Sequence, residues 1–299
     1  MMWVALAFLS AALLGCYDFF KKVSLKDNSV IAVLFLNTLF STLLFSPFII
    51  LSRMGVITGG ELYVPTVDLN THLLLFLKAA IVLASWLFGY VGIKHLPITI
   101  VSPIQATRPV IVLVGAMVMF GETLNPYQWI GVVLAILSVF LLSRSGRREG
   151  IYFTGNKWVA FIALAAIFGA VSSLYDRFLM RSLEPVLVQS WFNIYQCLLM
   201  GIIALFLNAF SPAQRARKFK WRWSILLISL FLGAADFCYY SALAQDEALI
   251  AVVSMIRRGS VVVSFVFGAL LLHEKNLKSK AIDLALIILG LFFLYLGSI

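Results

Sequence analysis

Charged residues are scarce in this chain. Asp, Glu, Lys and Arg together make up 12% of its 299 residues, whereas a soluble globular domain carries about 25%. A protein of this size with so few charges cannot cover its surface with groups that water solvates well. The composition therefore excludes a water-soluble enzyme.

Cysteine and histidine are also rare, with three of each. Cys16, Cys197 and Cys238 lie inside apolar stretches, and their spacing fits neither a disulfide framework nor a zinc motif. The histidines are scattered, and the sequence has no glycine-rich phosphate loop followed by Lys-Ser or Lys-Thr. We therefore expect no metal site, no cofactor, no catalytic residues and no ATP-driven pump.

Apolar residues are abundant: they make up 62% of the chain, and the mean hydropathy is +1.01. A membrane-spanning helix uses roughly 20 of them, and the hydrocarbon layer requires each span to satisfy its own backbone hydrogen bonds. Ten apolar segments are each predicted to be a transmembrane helix. They cover about Trp3–Phe20, Ser29–Leu51, Leu73–Ile93, Pro97–Phe120, Tyr127–Leu142, Trp158–Phe178, Pro185–Leu207, Trp223–Ala244, Ala248–Leu272 and Ala281–Ser298.

The two halves of the sequence resemble each other. Cys-Tyr-Asp-Phe-Phe at 16–20 matches Leu-Tyr-Asp-Arg-Phe at 174–178, and Phe-Leu-Asn at 35–37 matches Trp-Phe-Asn at 191–193. Because each half holds five helices, an odd number, the second copy enters the membrane in the opposite sense. The predicted fold class is an all-α membrane protein of ten transmembrane helices, built from two inverted five-helix repeats. The repeats are residues 1–146 and 147–299.

Basic residues are distributed unevenly between the loops. Loops after odd-numbered segments carry sixteen Lys and Arg residues, and the other loops carry only Arg53, Arg177 and Arg181. Because basic residues are retained in cytoplasmic loops, we expect a multi-pass protein of the cell inner membrane with both termini extracytoplasmic.

The net charge of +10 does not indicate a nucleic-acid partner, because the basic residues are dispersed. Arg215–Trp223 mixes bases with aromatic residues, but it immediately precedes an apolar segment, which favours anchoring at anionic lipid headgroups. The expected partners are the lipid bilayer and a small-molecule substrate.

Short motifs lie near the end of each half. They are Phe-Gly-Glu-Thr-Leu at 120–124 before Gln-Trp-Ile-Gly at 128–131, Leu-His-Glu-Lys-Asn-Leu at 272–277 before Gly290, and Gly-Ile-Lys-His-Leu-Pro at 92–97. With two halves of five segments, they resemble the EamA-type drug/metabolite transporters over essentially the whole chain. The resemblance implies secondary transport, usually export, of small metabolites, amino acids or drugs by alternating access. Members of that family commonly keep both termini in the cytoplasm, whereas the charges here predict the reverse.

Glu122 and Glu274 lie in the turns of these motifs. A carboxylate at such a position satisfies the free N–H groups at a helix start. We expect each to cap the helix that follows it.

Four basic residues lie inside apolar segments, where a charge costs at least ~2.5–3.5 kcal/mol and marks a functional candidate. Arg108, Arg257 and Arg258 are near the middle of the fourth and ninth segments, and the repeat places Gln105 opposite Arg257. Arginine suits a carboxylate or phosphate, so the three arginines together with Gln105 predict an anion-binding central cavity. Lys78 is near its segment start and is expected to reach the interface.

Internal pairing is the alternative interpretation of the same residues. Asp236 lies mid-span in the eighth segment, and Asp18 and Asp176 lie near the ends of the first and sixth. Three acids are enough to neutralise three of the four bases and to lock helices together. Both interpretations hold together if such pairs exchange during gating.

The acidic residues carry separate hypotheses. Asp18 and Asp176 each follow a tyrosine, Tyr17 and Tyr175. One hypothesis is that the two aspartates form a symmetric pair of gates. The alternative is that Asp18 pairs with Lys22 and that Asp176 is an interfacial charge. Asp236 is the candidate for coupling to a proton or a counter-substrate, because burial favours its protonated form.

Two asparagines occupy matching positions in the second and seventh segments. Asn37 and Asn193 either hydrogen-bond the substrate or bridge helices.

The sequence as a whole predicts a secondary active transporter, an exporter of small polar or anionic metabolites. A lipid-headgroup flippase and an integral-membrane enzyme on a phosphorylated lipid-linked substrate are the alternatives. Substrate identity, transport direction, coupling ion and oligomeric state are not determined by the sequence.

Overall fold

All regular secondary structure in the described part of the chain is helical. The computed structural model describes residues 2–26, 28–95, 104, 108–146, 157–211, 219–260, 262–263 and 277–297. These residues form ten helices in chain order: α1 (Met2–Leu25), α2 (Val30–Arg53), α3 (Leu69–His95), α4 (Arg108–Phe120), α5 (Pro126–Gly146), α6 (Lys157–Met180), α7 (Pro185–Phe210), α8 (Ser224–Leu243), α9 (Ile250–Arg258) and α10 (Leu277–Leu296).

Six of these helices are long and apolar enough to cross a membrane, namely α1, α2, α3, α6, α7 and α8. Helix α4 is apolar but shorter. Large apolar side chains such as Val118, Leu205 and Phe210 are more than two-thirds exposed. An apolar outer surface is stable against lipid and unstable against water. The protein is therefore a multi-pass membrane protein.

Helices of the first five pack against helices of the second five. Helix α1 lies on α8, α3 on α6, α2 on α7, and α5 on α10, and α4 contacts α9. The pattern is preserved when each helix is exchanged for the one five places away, since α1–α8 then becomes α6–α3. The contacts of α4 with α6 and of α1 with α9 exchange in the same way.

Glycines allow close approach where these helices cross. A Cβ atom on Gly131 of α5 would lie 2.8 Å from the carbonyl oxygen of Gly290 in α10. A Cβ atom on Gly15 of α1 would lie 2.8 Å from the carbonyl oxygen of Ser260. Small residues let backbones meet, which increases van der Waals contact in a solvent that supplies little hydrophobic drive between helices.

Two polar contacts connect helices at one end of the bundle, which we call the Glu122 end. Glu122 lies in the turn between α4 and α5, and its Oε1 and Oε2 accept hydrogen bonds from the N–H groups of Ile250 (2.8 Å) and Ala251 (3.2 Å) at the start of α9. The expectation that Glu122 caps the following helix is therefore wrong. Helix α5 begins instead with reciprocal hydrogen bonds between Asn125 and Gln128. Glu274 lies outside the described residues.

Arg177 makes the second contact at the Glu122 end. Its guanidinium donates to the carbonyl oxygens of Leu243, Gln245 (3.1 Å) and Asp246 (3.2 Å), at the C-terminus of α8. A cation here satisfies carbonyls that the helix leaves unpaired and interacts favourably with the helix dipole. Arg177 is only 7% exposed, so it is a structural tie between α6 and α8 and not a loop charge.

The carboxyl group of Glu122 titrates abnormally because it is buried. Burial raises its pKa, and the N–H groups of Ile250 and Ala251 and the charges of Arg177 and Arg181 offset part of the increase. A carboxyl group with a raised pKa binds its proton more tightly in the folded state. Its stabilising contribution is therefore full below the ordinary glutamate pKa and is lost as the pH rises through the folded-state pKa.

We expect the Glu122→Gln variant to lack this pH dependence. The unfolding free energy of the wild type, minus that of the variant, should fall as the pH rises from about 4.3, the ordinary glutamate value. Denaturant unfolding in detergent over a pH series measures it. Glu61→Gln, at an exposed glutamate in the loop after α2, is the control. A difference that stays constant or rises with pH would contradict the buried cap.

Candidate functional site

Charged side chains from both halves meet in one cavity of about 330 Å³. Residues of α1, α3, α4, α6, α7, α8 and α9 line it, so it lies between the two sets of helices. Five cationic and three anionic side chains face it: Lys21, Lys78, Arg108, Arg257, Arg258, Asp18, Asp176 and Asp236. The described lining therefore has an excess of positive charge.

Lys78 of α3 and Asp176 of α6 form a buried ion pair, in which the ammonium donates a hydrogen bond to Oδ1 of the carboxylate. Lys78 is 1% exposed. Its Nζ atom lies 4.6 Å from the ring centroid of Phe192 and 4.8 Å from that of Tyr240, so aromatic faces supply further stabilisation of the charge. The expectation that Lys78 reaches the interface is wrong, because a carboxylate and two rings solvate its charge inside the bundle. Asp176 is likewise not an interfacial charge.

Arg257 of α9 forms a second ion pair with Asp236 of α8. Its guanidinium carbon lies 4.2 Å from the centroid of the Tyr239 ring. The planar guanidinium stacks on an aromatic face while its N–H groups bind the carboxylate. Asp236 and Arg257 side chains are 15% and 20% exposed, so this pair remains accessible from the cavity.

Arg108 and Arg258 differ from these two bases. Within the described residues, no carboxylate lies within 4.0 Å of either guanidinium. Nη2 of Arg108 donates to Oγ of Ser173 at 3.2 Å, and Oγ of Ser173 donates to the carbonyl oxygen of Gly169 at 3.1 Å. A hydroxyl is a weak partner for a buried cation, so both guanidiniums keep donors available to an anion.

Asp18 and Tyr17 lie in the same cavity, on α1. The charge of Asp18 interacts with those of Lys21, Arg258 and Arg257. The Lys21 ammonium lies 5.3 Å from the centroid of the Tyr17 ring. The side chain of Lys22, the partner that the sequence hypothesis named for Asp18, lies outside the described residues.

Tyr175, the counterpart of Tyr17, occupies a different position. Its hydroxyl donates to the carbonyl oxygen of Leu74 at 3.2 Å, and it is not among the described residues that line the cavity. Asn37 and Asn193 line a separate, smaller pocket between α2 and α7. Gln105 lies outside the described residues.

Sequence reasoning missed several residues of the cavity. Tyr239, Tyr240, Phe192 and Ser173 all face it, and none carries a charge or motif that separates it from other aromatic or small residues of the spans. Lys78 did carry a signal, its charge inside an apolar segment, but its partner lies 98 residues away in the sequence. Such a partner becomes visible only when α3 and α6 are packed together.

The arrangement is suited to binding an anion reversibly. Two guanidiniums without carboxylate partners among the described residues supply planar donors, and in the same lining Lys78 and Arg257 are each neutralised by an aspartate. Among the described residues, no group of three or more His, Cys, Asp and Glu side chains has the geometry to hold a metal ion.

We expect Gly169→Ala to displace Arg108. The added Cβ atom would lie 2.7 Å from Cζ and 2.9 Å from Nη1 of Arg108. Because the guanidinium is the far end of a flexible side chain, it should move aside at little cost in stability, and the variant should bind an anion less tightly than the wild type. Gly201→Ala is the control, because its Cβ atom would meet only Phe35 at 3.4 Å. The rise in Tm that inorganic phosphate produces in detergent, measured for both variants, reports anion binding. If the clash is with Arg108, Gly169→Ala should have no further effect on this rise in an Arg108→Met background, and a further loss there would refute the placement.

We expect single substitutions in the Lys78–Asp176 pair to be more harmful than the double one. Lys78→Met leaves a buried carboxylate without a partner and should cost about 3–5 kcal/mol, whereas Lys78→Met/Asp176→Leu removes both charges and should restore most of the stability. Denaturant unfolding of the two single variants and the double variant measures the coupling. Additive losses would show that the two charges do not interact.

Three comparisons bear on identity. The EamA-like transporter family model matches residues 1–144 and 156–296. An "Uncharacterized transporter" of Archaeoglobus fulgidus is 25% identical over 277 residues, covering 91% of this chain and 90% of that protein. A solved structure titled "Crystal structure of protein" has a TM-score of 0.70 at 16% identity and covers 98% of both chains, which is similarity of fold. On the strength of the family match, which spans both sets of helices, the chain belongs to the EamA-like transporter family.

Proposed function

We propose that this protein is a secondary active transporter that exports a small polar or anionic metabolite across the inner membrane. Membership of the EamA-like family supports transport over catalysis on a lipid-linked substrate. The observation that carries the substrate class is the cavity of about 330 Å³ with Arg108 and Arg258 free of carboxylate partners among the described residues. A volume of this order suits a small metabolite.

The helix packing supports alternating access between two inverted repeats, residues 1–146 and 147–299. Each interface described above recurs when helices are exchanged five places along the chain, for example α1–α8 with α6–α3. A pseudo-twofold relation of this kind gives two arrangements of similar energy, in which the halves rock about a central site. The ion pairs Lys78–Asp176 and Arg257–Asp236 join helices around that site.

In this proposal, the Glu122 end is the gate that opens and closes one side of the cavity. Glu122 bonds the α4–α5 turn to α9, and Arg177 bonds α6 to the end of α8. The loop charges predict that this end is extracytoplasmic, as are both termini. Opening it requires these hydrogen bonds to break. Asp18 and Asp176 are proposed to hold opposite ends of the cavity in the two states.

Coupling to a proton or a counter-substrate is proposed to act through Asp236. Its carboxylate is bound to Arg257, so a proton or a second ligand has to compete with the guanidinium. Flux from proteoliposomes with and without a pH gradient tests this. Flux that is independent of the gradient would remove the proton from the mechanism.

We expect Arg108→Ala and Arg258→Ala to abolish efflux while membrane insertion is retained. Each loses a planar donor set facing the substrate, and a charge-assisted hydrogen bond is worth about 1.5–3 kcal/mol, or roughly 10–100-fold in affinity. A thermal-shift screen with amino acids, sugar phosphates and nucleotides selects the ligand, and radiolabelled efflux from proteoliposomes measures transport.

The matched control is Arg53→Ala, an exposed arginine whose Nη2 donates only to the carbonyl oxygen of Pro65 at 3.3 Å. It should transport like the wild type. Arg108→Lys keeps the charge and loses the planar fork, so partial activity is expected. Wild-type flux in both alanine variants would overturn the assignment of the cavity.

A further inference from the structure

A second, smaller cavity lies between α2 and α7, beside the central one. Its volume is about 20 Å³, enough for one group of the size of a water molecule. We call it the carboxamide pocket, because Asn37, Gln189, Asn193 and Gln196 face it. Asp236 lines both this pocket and the central cavity.

Three carboxamide oxygens of this pocket are buried without a partner. Asn37, Gln189 and Gln196 are 2%, 1% and 2% exposed. Among the described residues, Oδ1 of Asn37 and Oε1 of Gln189 and Gln196 receive no hydrogen bond, and Nε2 of Gln196 donates none. A buried acceptor without a donor bears the full desolvation cost of the group. Folded proteins contain few such atoms, so three in one small pocket require a physical explanation.

The walls of the pocket are held firmly by other hydrogen bonds. Nδ2 of Asn193 donates to the carbonyl oxygen of Ser41 (3.5 Å), and Oγ1 of Thr42 donates to that of Asn193 (2.8 Å). Oγ of Ser229 in α8 donates to the carbonyl oxygen of Asn37 (3.1 Å). These bonds connect α2 with α7 and α8, so they fix the distance between the backbones from which the unpaired carboxamides extend.

The chemistry of the pocket points to a cation. Three unpaired carboxamide oxygens and one carboxylate line it against one unpaired donor, Nε2 of Gln196, and hard cations take oxygen ligands. Asp236 is the single carboxylate in the described lining, and it already shares its charge with Arg257, so the site favours an ion with one positive charge over an ion with two. The volume admits one small ion.

We propose that the carboxamide pocket binds one small monovalent cation of the size of Na⁺, and that this cation weakens the hold of Asp236 on Arg257. The second statement rests on the proposed function, because Arg257 then becomes available to an anionic substrate in the central cavity. The geometric basis is that Asp236 faces both sites and is bound to Arg257.

Such coupling is reciprocal. A cation that shares the charge of Asp236 frees the guanidinium and raises the affinity for an anion, and the bound anion raises the affinity for the cation by the same factor. Cation and anion would then occupy neighbouring sites in one transport state, with Asp236 and Arg257 between them.

Thermal unfolding of purified protein without substrate tests the cation site. Na⁺, K⁺ and choline chlorides are titrated at constant ionic strength. Na⁺ at tenfold excess over its dissociation constant should raise Tm by about 2–4 °C relative to choline, with a smaller effect of K⁺. Gln189→Leu and Gln196→Leu, which remove unpaired oxygens outside the central cavity, should lose the Na⁺ effect. Asn70→Leu, at an exposed carboxamide at the start of α3, should keep it.

Equal Tm values of the wild type in the three salts would overturn the cation site and leave the pocket to water alone. If a leucine variant does not fold, ²³Na line broadening of the wild type, reversed by excess Li⁺, decides the same question. The coupling is tested separately by anion efflux in Na⁺ and in choline. A Na⁺-dependent Tm together with Na⁺-independent flux would refute the coupling alone, and absence of flux in every salt would refute the transport function and not the cation site.

Discussion

The free-energy cost of placing a charge where water is scarce governs this molecule. The central cavity holds eight ionisable side chains inside a bundle whose outer surface is apolar. A charge in that environment must be compensated by a counter-charge, a hydrogen bond or an aromatic face. Lys78 receives an ion pair and two rings, and Arg257 receives an ion pair and one ring. The degree of compensation therefore divides the bases into Lys78 and Arg257, which have carboxylate partners, and Arg108 and Arg258, which have none among the described residues.

The same cost connects the two halves of the chain. Lys78 belongs to α3 and its partner Asp176 to α6, and Glu122 follows α4 while its partners begin α9. Each half alone would leave a charge or a helix end unsatisfied. These contacts between the halves are polar and directional, whereas α5 and α10 meet through close backbone packing at a glycine. The alternating access proposed above would require contacts of the first kind to break and re-form while contacts of the second kind persist.

Much of the fold was predictable because the signal is local. A stretch of about twenty apolar residues specifies a membrane helix without reference to any partner, and each of the ten apolar segments overlaps one of the ten described helices. The family could also be recognised from short turns such as the one at Glu122, and the family match bears this out. The central arginines were identifiable as charges in apolar surroundings, and the structure places Arg108, Arg257 and Arg258 on one cavity. The inverted repeat, the membrane orientation and the roles of these residues remain predictions.

The sequence by itself determined that lipid surrounds the protein, that its spans are helical, and which charged side chains are costly to bury. Each of these follows from hydropathy and charge, which are properties of individual residues. Only the tertiary structure decided which charge meets which. It paired Lys78 with Asp176 and Arg257 with Asp236, left Arg108 and Arg258 without a carboxylate among the described residues, and directed Glu122 to a helix 128 residues away. The physical reason is that a Coulomb interaction or a hydrogen bond acts over a few ångströms, and distances of that scale between remote residues are set by helix packing.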